Sequence, residues 1–267
     1  MKELLVKFYR FLFARKCLFW FNRALHNLSL HGLGVLNYEN DRVSGEATFL
    51  TWYLGSKERS VVLDIGANVG SYAMQVLRIQ PSARVYSFEP HPLTYVLLQD
   101  ASIRFGFKAF NVGCGSENRE LLLYDYTELN GSEHASLYKE VFSDFQSRNI
   151  VSEYIVKIVS LDDFSNTQDW TIIDLLKVDV EGNELNVLNG FKKFLKSGKI
   201  LAILFEFNSM NVISRVFFKD FYDLLSEYTL HRLLPDGLVR IPQYDPLLCE
   251  VFAFQNIVAL HNKLEVR

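Results

Sequence analysis

A doubly wound α/β domain on a mostly parallel sheet is the fold this sequence predicts, and three observations point to it. From about residue 60 onward, short apolar stretches alternate with helical ones, the rhythm of βαβ units. Residues 60–65 bring Val61, Val62, Leu63 and Ile65 together with only Asp64 between them, as a strand buried on both faces requires. Residues 66–70 then supply a glycine turn from that strand into the next helix. Composition agrees, since 267 residues with 49% apolar and 22% charged side chains can bury a substantial core.

The elements follow in order. Residues 1–43 read as a helical extension ahead of a domain spanning 44–267. In the extension Lys2, Lys7, Arg10, Arg15, Lys16 and Arg23 stand against a lone acid, Glu3. Leu4, Leu5, Phe8, Phe11, Leu12, Leu18 and Phe19 share one helical face. The simpler expectation is that this face packs on the domain, and an interfacial helix on an anionic membrane is the other. No apolar stretch approaches the roughly 20 residues needed to span a bilayer. Charges also interrupt every apolar core that a cleavable signal peptide would need.

After the first strand and its turn, residues 71–79 form a helix that stops at Pro81. Residues 84–88 are a second strand, 92–105 a helix and 108–112 a third strand closing on Gly113-Cys114-Gly115. Residues 116–170 break the rhythm, with strands at 121–126 and 155–161 around a polar loop holding Asn130-Gly131-Ser132. A departure of that length reads as a substrate-side insertion. Alternation resumes with a strand at 172–180, a helix at 183–196, a strand at 200–207 and a helix at about 212–227. The closing strands, 228–234 and 251–260, follow without a crossover helix, so one antiparallel strand is expected at the sheet edge.

The net charge of −3 provides no basic field for nucleic acid. Cys17, Cys114 and Cys249 lie far apart, as reduced thiols of a cytoplasmic protein do, and no His/Cys spacing suggests zinc. The aromatic share of 14%, with 22 Phe, implies either a well-filled core or an apolar surface that docks elsewhere.

The chemistry concentrates at Val61-Val62-Leu63-Asp64-Ile65-Gly66-Ala67-Asn68-Val69-Gly70. A turn without side chains lets the backbone approach an adenosine-bearing ligand at the carboxyl edge of the sheet. Glu89, in Phe88-Glu89-Pro90, falls roughly 20 residues past the turn, where an acid grips ribose hydroxyls. A pyrophosphate would favour G-x-G-x-x-G and be repelled by Asp64, whereas a cationic sulfonium with an amino-acid tail would not. No Walker lysine follows, and Tyr53 and Lys57 precede the first strand, so their Y-x-x-x-K spacing reads as accidental.

These motifs resemble the FkbM family of methyltransferases over residues 44–260. The similarity runs through Gly45-Glu46, VVLDIGANVG, the SFEPHP stretch at 87–92 and Ser160-Leu161-Asp162-Asp163-Phe164. It continues through LKVDVEGNELNVLNG, Leu204-Phe205-Glu206-Phe207-Asn208 and Asn256-Ile257-Val258-Ala259. The resemblance implies a Rossmann-like class I methyltransferase fold, S-adenosylmethionine as donor, and O-methylation of a hydroxyl on a sugar, glycolipid or secondary metabolite. Gly113-Cys114-Gly115 departs from the acidic or polar adenine contact that many such folds carry there.

Expected cofactor contacts are Asp64, Gly66, Ala67, Asn68, Gly70, Glu89, Pro90, His91, Gly113 and Cys114, with Asp64 on the ammonium and Glu89 on the ribose. His91 has a second reading as the cap of the following helix. An alcohol acceptor needs a base, and Asp179, Glu181 and Glu206 end adjacent strands near the cofactor. Glu181 has an alternative as a helix cap, as do Asp162 and Asp163. His134, in the insertion, is a further candidate base. Asp179, Glu206 and Asn208 offer the oxygen ligands of a Mg²⁺ site as a weaker version. Two other function classes remain: a non-catalytic scaffold on the same fold, and a nicotinamide-dependent dehydrogenase.

Overall fold

The computed structural model describes residues 1–126, 136–137 and 151–264. Two helices, α1 (Lys2–Phe13) and α2 (Phe19–Gly32), precede the short α3 (Asp41–Ser44) and α4 (Glu46–Leu54). Asn40 starts α3 by accepting the Arg42 and Val43 N–H groups, both at 3.1 Å. The alternating region then gives β1 (Val61–Ile65), α5 (Ser71–Ile79), β2 (Arg84–Phe88), α6 (Pro92–Phe105) and β3 (Lys108–Phe110). Pro92 opens α6 at its first turn, where a missing N–H costs nothing, and Gly106 ends it in the left-handed region.

A second, smaller sheet stands apart from the main one. A small sheet in the order β4 (Gly113–Cys114), β6 (Val151–Val159), β5 (Arg119–Tyr126) carries its own apolar cluster of Leu123, Val156 and Ile158. The strand expected at 155–161 ends at Val159, because Leu161 opens α7 (Leu161–Phe164).

The remaining elements are β7 (Ile173–Val178), α8 (Glu184–Asn189), α9 (Lys192–Lys196) and β8 (Ile200–Phe207). After them come α10 (Met210–Ser214), α11 (Phe218–Leu224), β9 (Tyr228–Leu234), β10 (Gly237–Arg240), α12 (Pro246–Cys249) and β11 (Gln255–His261). The single helix expected at 183–196 is thus two. Ser160 Oγ and the Asp162 N–H both donate to the Gly190 carbonyl, at 2.9 and 2.8 Å, and a Cβ on Gly190 would sit 1.9 Å from the Gly115 carbonyl. That close approach breaks the helix. The helix expected at 212–227 is divided at Arg215, which adopts φ 56°.

The large sheet runs β3-β2-β1-β7-β8-β11-β9-β10. Strands β3, β2, β1, β7 and β8 are parallel, and β11 is antiparallel to both β8 and β9. An antiparallel strand does occupy the edge, β10, while β11 lies inside between β8 and β9. This is the doubly wound, mostly parallel arrangement that the sequence predicts.

Successive strand residues supply opposite faces. Leu63, Phe88, Phe205 and Phe207 join Phe191, Phe218 and Phe221 on one side. Val62, Val85, Leu175 and Leu204 join Phe49, Leu50, Ala73 and Leu98 on the other. Burying each of the Val, Leu and Phe side chains contributes roughly 1.5–3 kcal/mol.

The N-terminal helices differ from the expectation that their apolar face packs on the domain. Neither α1 nor α2 buries a residue. The chain joins the body at Val35, which is fully buried, and at Leu36, whose N–H donates to the Phe254 carbonyl at 2.8 Å. Contacts with the body are thus in place by residue 35. Among the described residues no helix is long and apolar enough to cross a membrane.

Candidate functional site

A cleft of about 950 Å³ opens at the carboxyl edge of the large sheet, where parallel strands end and their loops diverge. Its first wall comes from β1 and β2. Gly66 turns at φ 81°, and a Cβ there would lie 1.8 Å from the Asp179 carbonyl, so only glycine lets the loops after β1 and β7 meet. The Gly66 and Ala67 N–H groups both donate to the Phe88 carbonyl at 3.0 Å. Asn68 takes the left-handed φ of 48°, and Gly70 starts α5.

This turn aims the Asn68 N–H at Glu89 Oε2 (3.0 Å), while the His91 N–H holds Oε1 at 2.8 Å. Glu89 is buried at the cleft with a backbone donor on each oxygen, and each oxygen keeps acceptor capacity. Burial pushes its carboxyl up to about 7, against the pull of the two amides. Asp64 is fully buried. Its Oδ2 accepts from Ser87 Oγ at 3.5 Å, and its Oδ1 has no hydrogen-bond donor. Burial pushes Asp64 up to about 6, with Lys177 opposing the rise. Pro90, Gly113 and Cys114 line the same side, and Asn183 Nδ2 donates to the Cys114 carbonyl at 3.3 Å.

The second wall comes from β7 and β8. Asp179, Glu181, Glu206 and Asn208 all line the cleft. Asn208 Nδ2 donates to Glu206 Oε1, and Asn208 Oδ1 accepts the Met210 N–H at 2.7 Å. Burial, followed by the like charges of Asp179 and Glu181, raises the Glu206 carboxyl well above the usual range. Glu181 sits at φ 52°, and Ser136 Oγ donates to its carbonyl at 3.2 Å.

Lys177 joins the two walls, and the sequence reading assigned it no role. Its Nζ lies 3.1 Å from Asp179 Oδ2, 3.9 Å from Asp64 Oδ1 and 5.0 Å from the centre of the Tyr72 ring. Burial alone would pull its pKa down, but Asp179, Asp64 and Glu46 overcome that and hold it raised. Strand alternation was the available signal, since Lys177 and Asp179 are two apart and Lys177 lies in register with Asp64. Glu46 was missed as well. It lines the cleft, and burial raises its carboxyl.

Several expected roles move. His91 is buried as the cap of α6, with Nδ1 accepting the Thr94 N–H at 3.3 Å and Nε2 lying 3.4 Å from Asp125, so its ring does not line the cleft. The capping role weighed for Glu181 falls to Glu184, whose Oε1 accepts the Val180 and Gly182 N–H groups at 3.1 Å. Asp162 does not cap its own helix; it accepts the Lys193 N–H, 31 residues on, at 2.9 Å. His134 lies outside the described residues.

Asp179, Glu206 and Asn208 do not converge as oxygen ligands, because Asp179 is held by Lys177 and Asn208 points an amide N–H at Glu206. Among the described residues no three His, Cys, Asp or Glu side chains group to hold a metal. Leu123, Leu137 and Ile158 also reach the cleft, and Tyr38, Asn40 and Asp41 add a rim from the segment placed in the extension, joined by Ser44.

Residues 64–230 match the family described as Methyltransferase FkbM domain. The chain is similar to the 2-O-methyltransferase NoeI of Sinorhizobium fredii, 28% identical over 193 residues that cover 68% of this chain and 77% of that protein. It is also similar to Methyltransferase 1 of Beauveria bassiana, at 31% identity over 49% of this chain and 58% of that protein. The hexuronic acid methyltransferase AglP of Haloferax volcanii is 26% identical over 55% of this chain and 56% of its own length. The latter two matches thus span little more than half of those proteins.

Proposed function

The chain belongs to the FkbM methyltransferase family, and we propose that it is an S-adenosylmethionine-dependent enzyme methylating a hydroxyl of a sugar, glycolipid or secondary metabolite. The observation that carries this reading is the buried carboxylate of Glu89 on one wall of a cleft whose other wall presents Glu206 and Asp179, with Asp64 fully buried next to the cleft-lining Lys177. Two relatives act, by their names, on a 2-hydroxyl and on a hexuronic acid, which supports a carbohydrate acceptor.

The residues present fit the donor. Glu89 has acceptor capacity for a ribose diol, and Asp64 Oδ1, which accepts no hydrogen bond and lies 3.9 Å from Lys177 Nζ, keeps acceptor capacity for an ammonium group. When bound, S-adenosylmethionine supplies an electrophilic methyl group attached to a sulfonium. Within the chain, the turn at 66–70 holds Glu89 through the Asn68 amide, and Lys177 keeps Asp64 and Asp179 from repelling each other. Glu206 is the base in this reading, since its raised carboxyl is well matched to take a proton from an alcohol as the oxygen attacks. Asn208 orients Glu206 by donating to Oε1. Asp179 and Glu181 would hydrogen-bond neighbouring hydroxyls of the acceptor, and positioning supplies much of the rate.

The acids retained at the strand ends favour an enzyme over a scaffold, and the acid at residue 64 disfavours a nicotinamide dinucleotide. The three cysteines are free thiols, which fits work in the cytoplasm. The test is transfer of a labelled methyl group from S-adenosylmethionine to a panel of mono- and oligosaccharides and hydroxylated metabolites. Label in an ether methyl on any of these supports the reading, and label on nitrogen or carbon alone would overturn it.

A further inference from the structure

Leu4, Leu5, Phe8, Phe11 and Leu12 recur at helical spacing along one face of α1, and every one of them is exposed. On α2, Trp20, Phe21, Leu25 and Leu28 are exposed in the same way. Soluble proteins scatter single apolar residues on their surfaces but rarely gather them into one large patch. The helices are tied to each other by Tyr9 Oη donating to Asn22 Oδ1 at 2.6 Å and by the Phe13 and Phe21 rings stacked at 5.9 Å. The hairpin is therefore a built element, and its outward apolar face is left uncovered.

Charge identifies the occupant. Within residues 1–32 the six side chains Lys2, Lys7, Arg10, Arg15, Lys16 and Arg23 oppose Glu3, in a chain whose net charge is −3. The Arg15 guanidinium lies 5.5 Å over the Phe11 ring, and that of Arg23 lies 5.1 Å over Trp20. Basic heads beside aromatic rings match the headgroup level of a bilayer, where rings enter the acyl boundary and cations stay with the phosphates. A second copy of the hairpin would bring like charges together, which disfavours self-association.

We propose that the α1–α2 hairpin is a docking surface for an anionic lipid bilayer, holding the catalytic domain at the membrane surface. The face is apolar enough to enter the interface and too short to cross it. Binding needs both the apolar stripe and the basic residues, so it depends on anionic lipid and weakens with salt. The inference stands apart from the acceptor reading, because the hairpin residues named above lie outside the cleft.

Flotation of the whole chain with phosphatidylcholine vesicles, with and without phosphatidylglycerol, tests it. The protein should float only with phosphatidylglycerol and be released by high salt, with a blue shift of Trp emission that Trp20→Phe removes. Leu5→Glu/Phe8→Glu and, separately, Lys7→Gln/Arg10→Gln should each cut the bound fraction by about tenfold or more. Both variants should keep binding S-adenosylhomocysteine as the wild type does, which reports an intact domain. No flotation, equal flotation on neutral vesicles, or a dimer that Leu5→Glu/Phe8→Glu dissociates would each overturn the proposal, the last in favour of a second copy.

Discussion

The cleft and the N-terminal hairpin break the same rule in opposite directions. At the cleft, charged side chains are buried: Lys177 on its wall has a side-chain exposure of 11%, and Asp64 next to it is fully enclosed. In the hairpin, apolar side chains are exposed, Phe11 at 68% and Trp20 at 69%. Buried charge is costly unless paired and exposed apolar area is costly in water, so each arrangement implies a partner. For the cleft the partner is a small cationic ligand with hydroxyls, and for the hairpin a surface both greasy and anionic. The cleft is also over-determined by its own contacts, through Glu89, Asn68, His91 and Lys177, whereas the hairpin is tied chiefly to itself.

If that contrast holds, substitutions in the cleft should change function strongly while those in the hairpin leave the domain alone. The largest effect is expected at Glu206. Glu206→Gln should lower kcat by about 100-fold or more while leaving S-adenosylhomocysteine affinity within about twofold, read by steady-state kinetics and calorimetry. A kcat within tenfold of wild type would move the base elsewhere.

Lys177→Met comes next, because it leaves Asp64 and Asp179 facing each other without their shared cation. The expected cost is about 3 kcal/mol, lowering Tm by roughly 6–12 °C in a thermal melt. An unchanged Tm would mean that Lys177 does not hold the two walls together.

A smaller effect concerns pH. Burial raises the Asp64 carboxyl to about 6 and that of Glu89 to about 7, from their ordinary 3.8 and 4.5. A raised folded value means stability that is present below the ordinary pKa and lost as pH climbs through the folded one. The free protein should therefore lose stability between about pH 4 and 7. A cationic ligand that needs ionised Asp64 should bind more tightly over the same window, up to about tenfold per unit below pH 6. The thermal shift from added S-adenosylhomocysteine should accordingly be larger at pH 8 than at pH 5.5, and a flat profile would remove Asp64 from the ammonium site.

The smallest effect is a deliberate near-zero. Leu5→Glu/Phe8→Glu should leave Tm within about 2 °C and methyl transfer to a soluble acceptor unchanged, since neither residue is buried. A large loss of stability would show that the hairpin packs on the domain after all.

Much of this was legible in the residues. The parallel strands and the glycine turn were readable because a strand buried on both faces and a positive-φ turn each demand particular side chains, as Val61, Val62, Leu63 and Gly66 show. The strand-end acid Glu89 was picked out by its spacing from the glycine turn, and it does line the cleft. The breaks at Gly190 and Arg215 were not readable. The first depends on the Gly115 backbone arriving from another part of the chain, and the second on a left-handed residue that is not glycine. Strand β11 enters between β8 and β9 through a long-range pairing that no local pattern encodes. Lys177 and Glu46 were passed over for a related reason: a lone cation and a lone acid acquire meaning only when the fold brings Asp64 and Asp179 beside them.

The most direct measurement is calorimetric titration of S-adenosylhomocysteine into the wild type, Asp64→Asn and Glu89→Gln. The account predicts micromolar or tighter binding by the wild type and a loss of about tenfold or more in each variant, with the fold intact by circular dichroism. Wild-type affinity retained in both variants, or no binding by a folded wild type, would contradict the assignment of this cleft to the methyl donor.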